Sequence, residues 1–496
     1  MEFRNLTSFP ALAFEGIDQH GQSFHVAVLR QTLTFSSGRL EYAGTQAPLC
    51  EVDTFFGEMN RSSLRQESDL CQYKPKCDVI VNATAHAPQH KPAQRFEVLV
   101  RIKRADTQMA PPAAAQGLNP FTSPSQAEME AWRTATAHAQ RTRVPGAVLL
   151  EKKLAVTGER VFRQRAWPLR LAATLARWGT LGLIKANPWR LTSPQAFTEM
   201  PLRHEYAYGG ECRVNAGDRG AKRIGKRIGK KHRLTPAELA GHPDREAAPA
   251  LQPVAHRTCE QNLVGRGFAE PWFLRASGMK SVPAPRIEHP DAPLSARLFW
   301  QSLRGKFTDA GTLPRPFEPA GLGLRAKAHP QRRALLGTVD EAFIGSDAWL
   351  PQDFDFAIWN CAPPDQQIDY LAGDERIELV NLCAPDAPGA TIDAQGNTCL
   401  ELALPGHACT LLMRMEDGAM FLHPMHIDSL LIEPEQGAVS LVWRAVIAKD
   451  ADIRAVDLRQ HCEFEAEFMQ LIAEGARKQK SFGRAGSNVE RELQHG

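Results

Sequence analysis

The segment Arg95–Lys103, RFEVLVRIK, sets Phe96, Val98, Val100 and Ile102 against Arg95, Glu97, Leu99, Arg101 and Lys103. Side chains on a strand point to opposite faces with period two, so this run fits a strand with one face on a core and the other toward solvent. The signal recurs along the chain. Residues 23–35, SFHVAVLRQTLTF, place Phe24, Val26 and Val28 on one face and Leu33 and Phe35 beyond a bulge expected near Arg30. Gln19, His20 and Gly21 read as the loop of a hairpin that joins this strand to Ala11–Ile17. In residues 77–87, CDVIVNATAHA, Val79, Val81, Ala83 and Ala85 alternate with Asp78, Ile80, Asn82, Thr84 and His86, as a central strand would. Residues 144–162 return to strand sequence with a turn at Gly158, and strands are expected at Ala408–Met415, His426–Glu433 and residues 438–447. The last two are joined by four residues, Pro434 to Gly437, a hairpin spacing.

Residues 353–383, DFDFAIWNCAPPDQQIDYLAGDERIELVNLC, combine rigid punctuation with strand. Pro363 and Pro364 fix two successive φ angles and remove two donors, while Asp365, Gln366 and Gln367 supply short polar groups that can bond a turning backbone. Phe354, Phe356 and Trp359 are placed to anchor this loop, since each aromatic ring can bury about 150–250 Å². After Gly373, Ile377, Leu379 and Asn381 alternate with Glu378, Val380 and Leu382, and the imperfect split predicts a strand buried on both sides. Asp353, Asp355 and Asp365 are acid or base groups in principle. No nucleophile or glycine cradle accompanies them, so the loop reads as a proline-braced structural element.

At 496 residues the chain exceeds the size at which one core stops growing, and two or three domains are expected. The 35 prolines and 36 glycines call for many short elements joined by turns. The fold class expected is mainly β, a β-rich α+β protein with antiparallel sheets in two β domains, 1–162 and 335–449. Between them, 163–334 is a loop-rich middle with short helices and a basic loop, and 450–496 is a helix and polar tail. Within the first domain, 110–140 reads as an insertion: 109–124 is rich in Ala, Pro, Gln and Gly, and 125–139 can form a short helix capped by Ser125 with Glu128. Leu171, Leu175, Trp178 and Leu181 give 169–184 an amphipathic helical spacing, and 464–477 also reads as helical. Residues 189–210, ending in tyrosines and a glycine pair, read as an aromatic strand end packed on the first sheet.

The 59 Lys and Arg nearly balance 56 Asp and Glu, so any electrostatic signal is local. It is concentrated in residues 221–233, AKRIGKRIGKKHR, where Lys222, Arg223, Lys226, Arg227, Lys230, Lys231 and Arg233 form the candidate partner-binding set. Such a run can grip an acidic protein surface or a phosphate backbone; its regular glycines and narrow apolar content predict a solvated loop. The ten cysteines are scattered without a CxxC pair, which predicts buried reduced thiols. His423 and His426 stand three apart, but Pro424 opposes helix geometry and no third ligand is near, so no metal site is assigned. No nucleophile elbow, P-loop, dinucleotide fingerprint or HExxH occurs, and neither catalytic residues nor a cofactor are assigned. The N-terminus lacks the apolar stretch of a secretory signal, and no run approaches the ~18 to 20 apolar residues of a membrane span. A soluble cytoplasmic protein is expected.

Five blocks then carry a resemblance: FRNLTSFPALAFEGIDQHGQSFHVAVLRQTLTF; KPKCDVIVNATAHAP; MPLRHEYAYGG followed by NLVGRGF; NCAPPDQQ followed by LAGDERIELVNL; and IDSLLIEPEQGAVSLVWR. They occur in order from Phe3 to Arg444 and resemble the bacterial family encoded beside type VI secretion spike and effector genes. The resemblance implies an adaptor or chaperone that holds a toxic protein effector and helps load it onto the valine-glycine-repeat spike protein (VgrG) or its PAAR tip. It implies no membrane partner and brings no catalytic residues; nucleic acid is disfavoured as a partner. The basic run and MAPPAAAQGLNP fall outside the recognised pattern. The alternative from another class is a hydrolase or carbohydrate-active enzyme of unrecognised β fold, with Asp353, Asp355 and His86 as its polar groups.

Overall fold

A computed structural model of the chain describes residues 1–36, 38–59, 61–108, 130, 132–137, 142–166, 187–212, 227–229, 232–240, 257–305, 313–318, 321–449 and 452–461. Arg95–Lys103 forms a strand as its periodicity predicts, with Phe96, Val98, Val100 and Ile102 buried. It pairs antiparallel with Val148–Thr157 on one side and Arg376–Val380 on the other. Thr398–Ala403 extends that sheet, and Ile287–Glu288 and Thr391–Ile392 end it, making six strands among the described residues.

A second sheet runs Ala11–Ile17, Ser23–Thr34, Ala438–Ala448, His426–Glu433, Cys77–Val81, Gln367–Ile368, with Glu41–Tyr42 also on Ser23–Thr34. Its pairs are antiparallel except His426–Glu433 with Cys77–Val81, which is parallel. Both expected hairpins are present, Ala11–Ile17 with Ser23–Thr34 and His426–Glu433 with Ala438–Ala448. Ser23–Thr34 pairs continuously with Ala438–Ala448, from Phe24 opposite Ala448 to Thr34 opposite Ala438. Segments far apart in sequence, 1–162 and 335–449, therefore share both large sheets. A four-stranded sheet, Glu2–Asn5, Ile453–His461, Ala408–Met415 and Met420–Pro424, joins the two ends of the chain again.

The inner faces enclose one large core. Leu29, Leu33, Val79, Val81, Leu441 and Ile447 meet Val98, Val100, Leu154, Ile377, Leu379 and Leu400, and Leu411, Val456 and Leu458 come from the four-stranded sheet. Each fully buried aliphatic side chain contributes roughly 1.5–3 kcal/mol, so this packing is the main stabilising term. The bulge expected near Arg30 is absent, because the register is unbroken on both sides of Ser23–Thr34. Ala27, Leu29 and Leu33 face the large core, while Phe24 and Val26 face a second cluster with Tyr73, Phe354, Phe356, Ile358 and Val446. The sheet is buried on both faces, which makes both halves of the alternation apolar and removes the need for a bulge.

Arg376–Val380 differs from its expectation too. Its Ile377 and Leu379 face the core, but Glu378 on the opposite face is ion-paired to Arg101 at 2.7 Å and to Lys103. Asn381 leaves the strand in the left-handed region at φ +57°. The middle of the chain has its own small core around Phe162, stacked on Phe299 at 4.1 Å, and Trp189 meets the same ring edge-on at 5.2 Å. Trp189 thus packs there, whereas Phe197 and Tyr206 of the 189–210 segment reach the large core, Phe197 stacked on Phe96 at 5.2 Å. The segments 109–124, 169–184 and 464–477 and the cap at Ser125 lie outside the described residues; 132–137 are helical. Ile453–His461, within the 450–496 segment expected to be a helix and polar tail, is a strand. Among the described residues no helix is long and apolar enough to cross a membrane.

Candidate functional site

The NCAPPDQQ loop lies on the outer face of the seven-stranded sheet. Phe354, Phe356 and Ile358 anchor it in the second cluster, with Trp359 packed alongside. Its backbone is then clamped by one carboxylate: Asp78 accepts from Cys361 N at 3.0 Å and Ala362 N at 3.1 Å. Lys74 Nζ donates to the same carboxylate at 2.9 Å and to Ser429 Oγ at 2.8 Å. Burial works against the Lys74 ammonium, and Asp78 overcomes it, holding the group well above the ordinary lysine value. Gln366, also buried, donates to the carbonyls of Val79 and Leu322 at 2.7 and 2.8 Å. The loop is rigid because its donors are consumed by the sheet beneath it.

Beside it the HEYAYGG and NLVGRGF blocks interlock. Asn262 Nδ2 donates to the carbonyls of His204 and Tyr208 at 2.8 and 3.0 Å, Gly210 N donates to Asn262 O at 2.8 Å, and Arg266 N donates to Ala207 O at 2.9 Å. The approach is too close for side chains: a Cβ on Gly209 would lie 2.3 Å from Asn262 O, and one on Gly265 2.4 Å from Asn262 Nδ2. Glu205 accepts from Ser63 N at 2.8 Å and from the Ser63 hydroxyl, tying residues 62–64 to this unit. Opposite, Arg332 is held bidentate by Glu67 and donates to the carbonyls of Arg325 and Ile358, both at 2.7 Å.

These elements enclose a cleft of about 680 Å³, with Phe55, Leu64, Leu263 and Leu324 among its apolar lining and His204, Arg325, Lys327 and His329 among its polar lining. A second recess of about 330 Å³ adjoins it through the shared residues Glu318, Arg325 and Gln331, and is lined by Lys152, Pro363, Pro364 and Asp365. Lys152 Nζ bridges the recess to the proline loop, donating to Asp365 at 2.9 Å and Gln366 at 2.8 Å. Three blocks singled out in the sequence therefore meet at one place. His204, His329 and Lys327 were not singled out there; the block carrying His204 offered a signal, whereas nothing marked residues 325–334.

Several polar groups of the cleft are paired, while the buried His204 Nε2 has no hydrogen-bond partner among the described residues. Burial, reinforced by Lys152, pushes His204 down to about 4, and burial next to Arg325 pushes His329 down to about 4. Both imidazoles are neutral near pH 7. His329 Nδ1 accepts from Gln331 N at 3.3 Å, and Lys327 pairs with Asp53 at 2.7 Å. The acid and base candidates of the enzyme alternative lie apart in their roles. Asp353 accepts from Thr338 N and Oγ1, Asp355 caps Ala357 N at 2.8 Å, and His86 sits in a strand opposite Glu199. His423 is on Met420–Pro424, while His426 stacks on Tyr370 at 4.7 Å. Of the basic run, Lys222, Arg223, Lys226, Lys230 and Lys231 lie outside the described residues; Arg227 and Arg233 are exposed. Between them Ile228 is buried against Trp272 and Phe273, and His232 stacks on Trp272 at 4.5 Å, so this part of the run is anchored.

The molecule is thus a β-rich protein with a cleft built from interlocked loops over a doubly buried sheet. Its chain belongs to the family described as an uncharacterized protein conserved in bacteria (DUF2169), whose pattern matches residues 20–110 and 128–444. No curated protein and no solved structure matches the chain.

Proposed function

We propose that the protein is a cytoplasmic adaptor that holds a type VI secretion effector and helps load it onto the VgrG spike or its PAAR tip. The observation that carries this reading is the meeting of the HEYAYGG and NLVGRGF blocks at one cleft, with the NCAPPDQQ loop lining the recess that adjoins it. The Ser63 hydroxyl donates to Glu205 and accepts from His204 N at 3.0 Å, which ties residues 62–64 to the HEYAYGG block, and Asp53 is paired with Lys327. What the cleft presents is a mixed wall, with Phe55, Leu64, Leu263 and Leu324 beside Arg325 and Gln331. That composition suits a protein segment, which is recognised by apolar anchors and a polar rim. The family match spans the same blocks and so supports a shared role for them.

The test is co-expression of the tagged full chain with the toxin and VgrG encoded in its gene cluster. The toxin should co-purify in a fixed ratio, and its recovery on VgrG should depend on the chain. A chain that retains neither toxin nor spike, or a gene cluster without spike, tip and toxin genes, overturns the reading.

A further inference from the structure

Between the cleft wall and the proline loop, residues 337–350 leave the body as an ordered arm. Its base is closed. Leu335 and Leu350 pack against the cluster of Phe354 and Phe356, and Asp355 N donates to Leu335 O at 3.0 Å. The Asp353 carboxylate accepts from Thr338 N at 2.8 Å and Thr338 Oγ1 at 2.7 Å. Gly337, at φ +80°, passes so near that a Cβ there would lie 2.6 Å from Asp353 Oδ1. Within the arm, Asp340 caps the turn Glu341–Ile344 through Phe343 N at 2.9 Å, and Ser346 Oγ donates to Phe343 O at 2.8 Å. It is a compact loop with its ends together, of the Ω type.

Phe343 and Leu350 are half-buried, but three large apolar side chains of the arm and Leu336 at its base are exposed. Leu336 is 45% exposed, Val339 61%, Ile344 72% and Trp349 77%, the last being the highest value among the large apolar residues described. Single exposed apolar residues are ordinary, but four within fourteen positions on and beside a hydrogen-bonded arm are a local concentration of exposed apolar side chains. An ordered loop that already holds tryptophan outward loses little freedom on binding, so most of the ring's burial becomes affinity. The charge of the arm is one-sided. Asp340, Glu341 and Asp347 are its only ionisable residues, and no Lys, Arg or His occurs between Ala334 and Glu375. Ala334 lines the cleft, so the arm continues from the cleft's rim.

We infer that this arm engages the effector, seating Trp349 and Ile344 in an apolar pocket of the effector bordered by lysine or arginine. The inference rests on the adaptor reading and adds the contact surface and the chemistry of the partner to it. Acidic residues on the arm oppose an anionic membrane surface and favour a basic protein rim.

The experiment uses the full chain and the toxin encoded in its gene cluster. Trp349→Ala with Ile344→Ala should leave the melting temperature unchanged, because both side chains are exposed, and should weaken toxin binding by roughly thirty-fold or more. Glu341→Lys with Asp347→Lys should slow association and remove part of its salt dependence. A photo-crosslinking residue at position 349 should trap the toxin. Equal affinity of wild type and the Trp349/Ile344 variant overturns the inference while leaving the adaptor reading intact. So does a loss confined to VgrG binding, to self-association, or to binding of vesicles containing phosphatidylserine. A wild-type chain that binds no toxin removes both.

Discussion

Asp78 shows how much of the site depends on one side chain. It is fully buried in the middle of a strand, where its carboxylate closes the NCAPPDQQ backbone onto the sheet and neutralises Lys74. Removing it strands an ammonium and two amide donors in a dry interior. Asp78→Ala should therefore cost about 3–5 kcal/mol in urea unfolding, the range for breaking a buried pair from one side. Replacing both partners, Asp78→Leu with Lys74→Met, should recover part of that loss; a single variant within ~1 kcal/mol of wild type would contradict the role. In sequence Asp78 was visible only as the polar half of an alternating strand, since its partners at 361 and 362 are set by folding.

Histidines make a second residue-scale prediction. His204, His329 and His423 are each pushed by burial from the ordinary 6.5 to about 4. Above the ordinary value they are neutral in both folded and unfolded chains and contribute no pH dependence. As pH falls from about 6.5 toward about 4, the unfolded chain takes up protons that the folded chain refuses, so stability declines across that window. Melting temperatures measured at steps through it should fall steadily, and a flat profile would show that these rings are protonated at little cost in the fold.

At the scale of elements, period-two reading located Arg95–Lys103 and both hairpins because one face of the first is half-exposed and the turns carry glycine. It failed at Ser23–Thr34, where two apolar faces imitate a bulge, and at Asn381, whose side chain accepts from Thr398 N at 3.0 Å and donates to Glu97 O at 2.9 Å to end a strand that its neighbours seemed to continue. The proline loop was legible as rigid, but its supports, Asp78, Gln366 and Lys152, were not, since each acts across the fold. Pro363 and Pro364 both occupy conformations that proline adopts without strain. Replacing the pair with glycine should cost about 1 kcal/mol or more through the unfolded chain's added entropy. Full thermal stability with lost toxin binding would instead make this loop a recognition element.

For the molecule as a whole, the β-rich character was readable from composition and alternation, whereas the sharing of sheets between 1–162 and 335–449 was not. Strand partners such as Val26 and Val446 are chosen by complementary buried faces, which no local pattern records. The same holds for the cleft, whose walls come from residues 53, 55, 62–64, 204, 260–264, 313, 318, 324–331 and 334. We propose that these walls, with the arm beside them, are the surface on which an effector is held. Hydrogen exchange of the full chain, alone and with the toxin encoded in its gene cluster, tests that directly. Exchange should slow at 260–264, 325–334 and 337–350 and stay unchanged at Arg95–Lys103. Absence of binding, or protection confined to the sheets away from the cleft, would contradict it.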